Sequence, residues 1–352
     1  MKHWIKAFRL RTLPLALSCI LAGHATAALF VDIDWNIFVL AALTTIFLQV
    51  LSNLANDYGD AENGADHEGR KGPSRAVQSG AISKAAMKKA VFISAILSLI
   101  SGVGLLILAI DEINLTFVGF FLLGLASIVA AIKYTMGKNP YGYKAMGDLF
   151  VFLFFGLVGV LGSYWLQTGS FHIASIFLSF GIGFFSVGVL NMNNMRDVES
   201  DKIAGKVTIP ILIGNKDKVY HSLLIIAGIV CVVTFVELYA TNDLLRLAYL
   251  LFIPFLLNLK KANSFKERQE LDPELKKIAN AYKIKYFNIE SSYHLEKITK
   301  DVLEYEGPVI CRVKISPNQV TAPRVMSRQT KNGSMETAPM ENMWPPINLE
   351  EL

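Results

Sequence analysis

Seven stretches of this chain are apolar and long enough to cross a lipid bilayer, and this limits its fold more than any other property. Crossing the hydrocarbon core takes about 20 mostly apolar residues in an α-helix. Residues 13–30, 37–55, 91–110, 115–132, 148–166, 173–190 and 223–240 come close to that length. An eighth stretch, LLRLAYLLFIPFLL at 244–257, is shorter and is interrupted by Pro254. In lipid each segment must pair its own backbone polar groups, so such stretches become helices packed into a bundle. Composition agrees: 53% of the 352 residues are hydrophobic and 18% are charged, against about a quarter charged in a soluble domain. The amino terminus, MKHWIKAFRLRTLPLALSCILAGHATAALF, is basic and then apolar, as a cleaved signal is. Its apolar run is long and further spans follow, which predicts an uncleaved first helix.

The connections between spans alternate in character. VDIDWN, DEIN, QTGSFH and ATND contain no Lys or Arg, whereas the amino terminus and the segments near 56–90, 133–147, 191–220 and 258–270 hold nearly all the basic residues of the apolar region. The positive-inside rule then predicts a multi-pass protein of the cell (inner or plasma) membrane with both termini in the cytoplasm. Trp35 and Trp165 fall near the outer ends of spans, where interfacial aromatics belong. A net charge of +5, with no basic patch interleaved with aromatics, argues against nucleic acid as a partner. Cys19, Cys231 and Cys311 lie far apart in sequence without paired spacing, so neither a disulfide framework nor a thiolate metal site is expected.

Two charged segments stand out at cytoplasmic span ends. The first, NDYGDAENGADHEGRKGPSR at 56–75, follows the second span directly. If the helix continues through it, Asn53, Asn56, Asp57 and Asp60 share one face, because positions three and four apart are neighbours. Asp66 lies beyond Gly64, where the helix should end; Arg70, Lys71 and Arg75 surround a Gly-Pro turn, and Ser79-Gly80 should open the next helix. The second, NMNNMRDVESDKIAGKVT at 191–208, ends the sixth span and repeats the spacing with Asn194, Asp197 and Asp201, accompanied by Arg196, Lys202 and Lys206. Spans two and six are four apart, so the chain reads as a weak duplication of spans 1–4 and 5–8, with one acidic site in each half.

Carboxylate and amide oxygens at this density suit Mg²⁺, a hard cation that completes its shell with water and substrate phosphate. Two such faces opposed across a bundle can clamp one diphosphate, with Lys and Arg neutralising the remaining oxygens. The space beneath is walled by lipid-type side chains, which points to a prenyl diphosphate. A solvated flank explains a single cluster equally well. Two clusters with matching spacing, each rich in Asn, favour the metal site, since a solubilising flank has no need of amides. An EF-hand is excluded, because neither cluster has the loop's Gly and terminal Glu in register.

A third segment, KYTMGKNPYGYKAMGD at 133–148, adds Lys133, Tyr134, Lys138, Tyr141, Tyr143 and Lys144, with Asp148 opening the fifth span. It can contact diphosphate or an aromatic acceptor, or it can be a positive-inside loop with interfacial tyrosines; the residues alone do not choose. For Ser18 and His24 in the first span an interhelical hydrogen bond is the simpler role than cavity lining, and His67 reads as a solvated loop histidine.

Together these segments resemble the UbiA superfamily of intramembrane aromatic prenyltransferases. NDYGDAENGAD is similar to its first aspartate-rich motif and NNMRDVESDKIAGKVT to its second. GPSRAVQSG and PYGYKAMGDLFVFLFFG narrow the resemblance to the branch that prenylates 1,4-dihydroxy-2-naphthoate in menaquinone synthesis. The resemblance spans roughly residues 1–275. It implies that Asn56, Asp57, Asp60, Asp66, Asn194, Asp197 and Asp201 hold Mg²⁺ and diphosphate, with Asp57, Asp60, Asp197 and Asp201 catalytic. Asn53, Arg70, Arg75, Lys133, Tyr134, Tyr143, Asn191, Arg196 and Lys206 would contact the polyprenyl diphosphate or the dihydroxynaphthoate acceptor. The implied reaction is Mg²⁺-dependent prenyl transfer with loss of CO₂. Transfer to another ring such as 4-hydroxybenzoate, an ion-passing transporter, and a non-catalytic relic are the alternatives; a transporter would place its ionisable residues at mid-membrane, whereas these sit at the rim.

The expected fold is thus an all-α polytopic membrane bundle over 1–257, with eight of the nine spans usual for the family, then a cytoplasmic linker at 258–277. Residues 278–352 read as a small soluble α/β fragment, with PVICRVKI as a buried strand and SSYHLEKITKDVLEYEG as a capped helix. This fragment resembles the carboxyl end of thiamine-diphosphate enzymes of the acetolactate synthase type. It lacks their upstream Gly-Asp-Gly segment, so no thiamine diphosphate is expected. A hybrid or misassembled reading frame explains the change of character better than a purposeful fusion.

Overall fold

The computed structural model describes residues 2–64, 75–239, 246, 249–250 and 252–265, and the backbone of residues 285–289, 309–313, 324–325, 327–329, 335–337 and 343–344. Asp66 and Arg70, and the helix expected near 291–307, lie outside the described residues. The chain divides into two units, Met1–Leu271 and Asp272–Leu352.

The described residues of the first unit form helices joined by turns and short loops. A short α1 (Lys2–Phe8) leads into α2 (Leu13–Ala27), α3 (Trp35–Glu62), α4 (Lys84–Ala109) and α5 (Leu115–Lys133). Then follow α6 (Gly147–Thr168), α7 (Ile173–Ile203), a one-turn α8 (Ile209–Ile213), α9 (Asp217–Tyr239) and α10 (Phe252–Ser264). The apolar blocks became helices, and their polar connections supply the caps. Asp34 accepts from the Asn36 amide at 2.8 Å, Asn114 from Phe117 at 3.0 Å and His172 from Ala174 at 3.2 Å. Each cap satisfies a donor that the first helical turn leaves open. Helix α4 starts at Lys84 with Ser83 as its cap, 3.2 Å from the Ala86 amide, and not at Ser79-Gly80 as the sequence suggested. Residues 76–80 form a turn instead, because Asp57 binds the Ala76 and Val77 amides from the side.

Among the described residues, six helical segments are long and apolar enough to cross a membrane, counting Ile209–Tyr239 as one. At 15 and 13 residues, α2 and α10 are shorter than a full span. The eighth expected span, 244–257, is only partly described, and α10 runs past Leu257 to Ser264. The lipid-type surface is plain on α5: Val118, Leu122 and Val129 form one exposed stripe. This is a multi-pass membrane protein.

Helix α6 is not α-helical throughout. Its middle, Phe152–Gly162, is a π-helix between α-helical turns Gly147–Val151 and Ser163–Thr168. Here α6 approaches α7 so closely that a Cβ at Gly156 would lie 2.8 Å from the Gly183 Cα and the Ser179 carbonyl. Small residues allow this backbone approach, the usual way helices associate where no hydrophobic force drives them together. Helix α3 packs extensively on α4, and α7 packs on both α6 and α9, so the two helices that carry the acidic segments are also the most heavily packed.

In the second unit, β1 (Lys285–Ile289) pairs parallel with β2 (Val309–Val313), Tyr286 facing Ile310 in register. The strand expected in PVICRVKI is thus observed as β2. Two short antiparallel pairs follow: Arg324–Val325 with Met343–Trp344, and Ser327–Gln329 with Met335–Thr337.

Candidate active site

Helix α3 continues unbroken from its apolar span to Glu62 and so carries the first acidic segment one and a half turns or more beyond the lipid-type run. On its inward face Asn53, Asp57 and Asp60 are buried. The Asn53 amide donates to the Phe8 carbonyl and to Thr12 Oγ1, both at 2.9 Å, tying the amino-terminal segment to α3. Asp57 accepts from the Ala76 and Val77 amides at 3.1 and 3.2 Å. Asp60 forms an ion pair with Arg75 and accepts from the Tyr143 hydroxyl at 2.6 Å. Arg75 also donates to the Asn56 carbonyl at 2.7 Å. Asn56 Oδ1 accepts from Thr135 Oγ1 at 3.1 Å and lines the cavity below.

Helix α7 brings the second segment to the same mouth. Asn194 and Asp201 are buried and Asp197 is half-buried. Asp197 is held by Arg196 in a bidentate pair, both contacts at 2.7 Å. Lys206 lies 3.3 Å from Asp201 Oδ2. That oxygen is buried, and its contact among the described residues is the Lys206 ion pair.

The two segments are joined through residues 141–146. The Val207 amide donates to the Tyr143 carbonyl at 3.1 Å, and the Ala145 amide donates to the Val207 carbonyl at 2.9 Å, while the Tyr143 hydroxyl holds Asp60. Two residues of the rim, Arg9 and Ala145, have positive φ without being glycine, a strain that structures keep where surrounding contacts over-determine it. The charges reach across as well: Asp60 feels Lys206 and Arg9, and Asp201 feels Asp60. The rims therefore face each other.

Beneath them lies a cavity of about 420 Å³. Asn53, Asn56 and Tyr134 line its polar end, and Leu105, Phe120 and Leu166 lie at the other. Tyr134 stacks edge-on against Tyr141 at 5.3 Å. Burial pushes the Tyr134 phenol up, and the nearby charges of Asp60, Asp148 and Asp201 add to this, so it remains a neutral donor.

Not every predicted residue points into this space. Asn191 is fully buried but lies against His221 at 3.4 Å, on the α9 side of α7, and it is Asn193 that lines the cavity. Lys133 is exposed, its ammonium close to Gly137. Sequence reasoning missed Thr135, Gly59 and Arg9. Thr135 donates from one hydroxyl towards both the Ala55 carbonyl and Asn56 Oδ1, and Asn63 donates to its carbonyl at 2.7 Å. None of the three is signalled by its residue type, and the Thr135 contacts join segments about eighty positions apart.

Among the described residues, no three acidic, imidazole or thiol groups form a ready-made metal cluster. The donor set nevertheless fits Mg²⁺. That ion is usually held by only one or two protein carboxylates, the rest of its octahedron being water and phosphate. Asp60, Asp201 and the Asn56 amide oxygen are hard donors at one mouth.

An all-helical membrane bundle with two Asn/Asp rims over an apolar cavity defines a class, and the chain belongs to it: the UbiA prenyltransferase family matches residues 16–282. Two relatives are 1,4-dihydroxy-2-naphthoate octaprenyltransferases. That of Escherichia coli K12 is 40% identical over 271 residues, covering 77% of this chain and 86% of the relative. That of Haemophilus influenzae is 44% identical over 238 residues, covering 67% and 77%. The solved structure of a UbiA homolog from Archaeoglobus fulgidus bound to DMAPP and Mg²⁺ shares the fold, with a TM-score of 0.56 and 19% identity over 78% of this chain and 92% of that one.

Proposed function

We propose that this prenyltransferase moves a polyprenyl group from its diphosphate to 1,4-dihydroxy-2-naphthoate, with loss of CO₂, in menaquinone synthesis at the cytoplasmic face of the cell membrane. The observation that carries this reading is the meeting of the two rims at one mouth above an apolar cavity. Relatives at 40% and 44% identity bear the name of this acceptor, which supports the choice of ring.

Asp60, Asp201 and Asn56 are assigned to Mg²⁺, with Asp57, Asn194 and Asp197 supporting them; Asp66 is proposed to join them. Bound Mg²⁺ would neutralise charge on the departing diphosphate. Arg75, Arg196 and Lys206, released from their carboxylates, turn to phosphate oxygens, for which bidentate Arg is well shaped. The apolar walls hold the prenyl chain and exclude water from the allylic cation formed as the C–O bond breaks. The ring carbon bearing the carboxylate attacks that cation. The new C–C bond forms there, CO₂ leaves, and its electron pair restores the aromatic ring. Tyr134 is proposed to donate to the acceptor or diphosphate, and Tyr143, whose hydroxyl donates to Asp60, to orient that carboxylate beside them.

The test is incubation of detergent-extracted protein with Mg²⁺, dihydroxynaphthoate and prenyl diphosphates. Product and its loss on chelation are expected, and Asp57→Asn and Asp197→Asn should each lower turnover at least a hundredfold. Normal turnover in both variants, or product from 4-hydroxybenzoate but not the naphthoate, would overturn the assignment.

A further inference from the structure

The cavity wall contributed by α5 has a gap at its centre. Helix α5 shows two faces. Val118, Leu122 and Val129 are exposed and belong to the lipid side. Phe120, Phe121, Ser127, Ile128 and Ala131 line the cavity. On a helix, position 124 is the i±3, i±4 or i+7 neighbour of all five, so Gly124 stands in the middle of the cavity stripe. It too lines the cavity, and it is exposed although it lies away from the lipid stripe. A Cβ built on Gly124 meets no atom within 4 Å. The space in front of it is therefore cavity, and α4 presents Gly102 to the same cavity.

The position along the helix gives this gap a meaning. Gly124 is ten residues from Tyr134 at the polar end, roughly 15 Å at the α-helical rise. A geranyl chain ends short of that depth; a geranylgeranyl or longer chain runs past it.

Resting on the proposed reading of the cavity as the prenyl site, we infer that Gly124 is a specificity-determining residue: its missing side chain lets prenyl groups longer than geranyl pass the middle of the bundle. A bulky residue there would close the deep half of the cavity and leave the diphosphate end untouched. Neither the rims nor any group in contact with the reacting atoms is involved.

The experiment compares the full chain with its Gly124→Phe variant, in detergent with Mg²⁺ and dihydroxynaphthoate, using geranyl, geranylgeranyl and octaprenyl diphosphates. Gly119→Phe is the control, since Gly119 is exposed on the lipid stripe, has open space at its Cβ and does not line the cavity. Gly124→Phe is expected to keep geranyl transfer within about threefold of wild type and to lose transfer of the two longer groups at least tenfold, while Gly119→Phe keeps all three. Thermal shift with each diphosphate supplies a second readout: geranyl diphosphate should still raise the unfolding temperature of Gly124→Phe, and the longer ones should not. Equal turnover of all three chains by Gly124→Phe, or an equal loss of all three in a folded variant, overturns the inference alone. No transfer by wild type to any acceptor overturns the proposed function, and the inference with it.

Discussion

Gly59 sits between the two acids of the first motif because no side chain fits there. A Cβ at this position would come within 2.6 Å of the Thr135 backbone. The contact lets Thr135 reach the Ala55 carbonyl and Asn56 Oδ1, so a residue with no chemistry of its own sets where a proposed metal-binding amide points. Gly59→Ala should cost about 1–3 kcal/mol by overpacking, seen as a lower unfolding temperature in detergent together with reduced turnover. A wild-type unfolding temperature would show that the segment yields freely. Tyr143 offers a cleaner separation of roles. Its hydroxyl holds Asp60 at 2.6 Å, while its backbone carries the link to Val207 whatever the side chain. Tyr143→Phe should leave the fold intact and remove a hydrogen bond to a charged group, worth about 1.5–3 kcal/mol. The expected result is turnover lowered by one to two orders of magnitude with a folded protein whose unfolding temperature falls by a few degrees, and an unaltered rate would remove Tyr143 from the site.

At the scale of elements, helix extents follow from apolar length and caps, and both were largely legible. The expected spans 37–55, 115–132 and 173–190 lie within α3, α5 and α7, and 91–110 ends one residue past α4. The π-helical stretch of α6 was not legible. FLFFGLVGVLG has the composition of any membrane helix, and only its packing distinguishes it. Around it, Gly156 meets Gly183, and Gly159 would place a Cβ 2.9 Å from that of Cys19. Such π stretches are frequent at functional sites, and Phe154, Val158 and Gly159 line the cavity. Gly156→Leu should separate α6 from α7 and destabilise the bundle by several kcal/mol, since the atoms it meets are backbone and cannot turn aside. Loss of monodisperse protein on size-exclusion chromatography would report this, and normal yield and thermal stability would contradict it.

At the scale of the molecule, the family match covers residues 16–282, and every residue proposed for the site lies in the first unit, Met1–Leu271. No residue assigned to the site comes from Asp272 onward. A chain ended after Leu271 should therefore retain prenyl transfer within a few fold of the full chain, measured in the same detergent assay. A complete loss would show that the second unit supports the bundle.

Read alone, the chain was enough to give the class of fold and the two acidic segments, because hydrophobic length and helical spacing are local properties. It also placed Asn53, Asp57, Asp60, Asn194 and Asp201 among the residues that the fold buries at its polar end. Which face of α7 meets the cavity came from packing, which turns Asn191 to His221 and Asn193 inward, since a rotation of one residue on a helix changes neighbours but leaves composition and period unchanged. The same holds for the partners of the acids. Arg75, Tyr143 and Val207 come together with the two motifs through contacts spanning tens of residues, and such meetings are set by how whole helices pack rather than by any short stretch of chain.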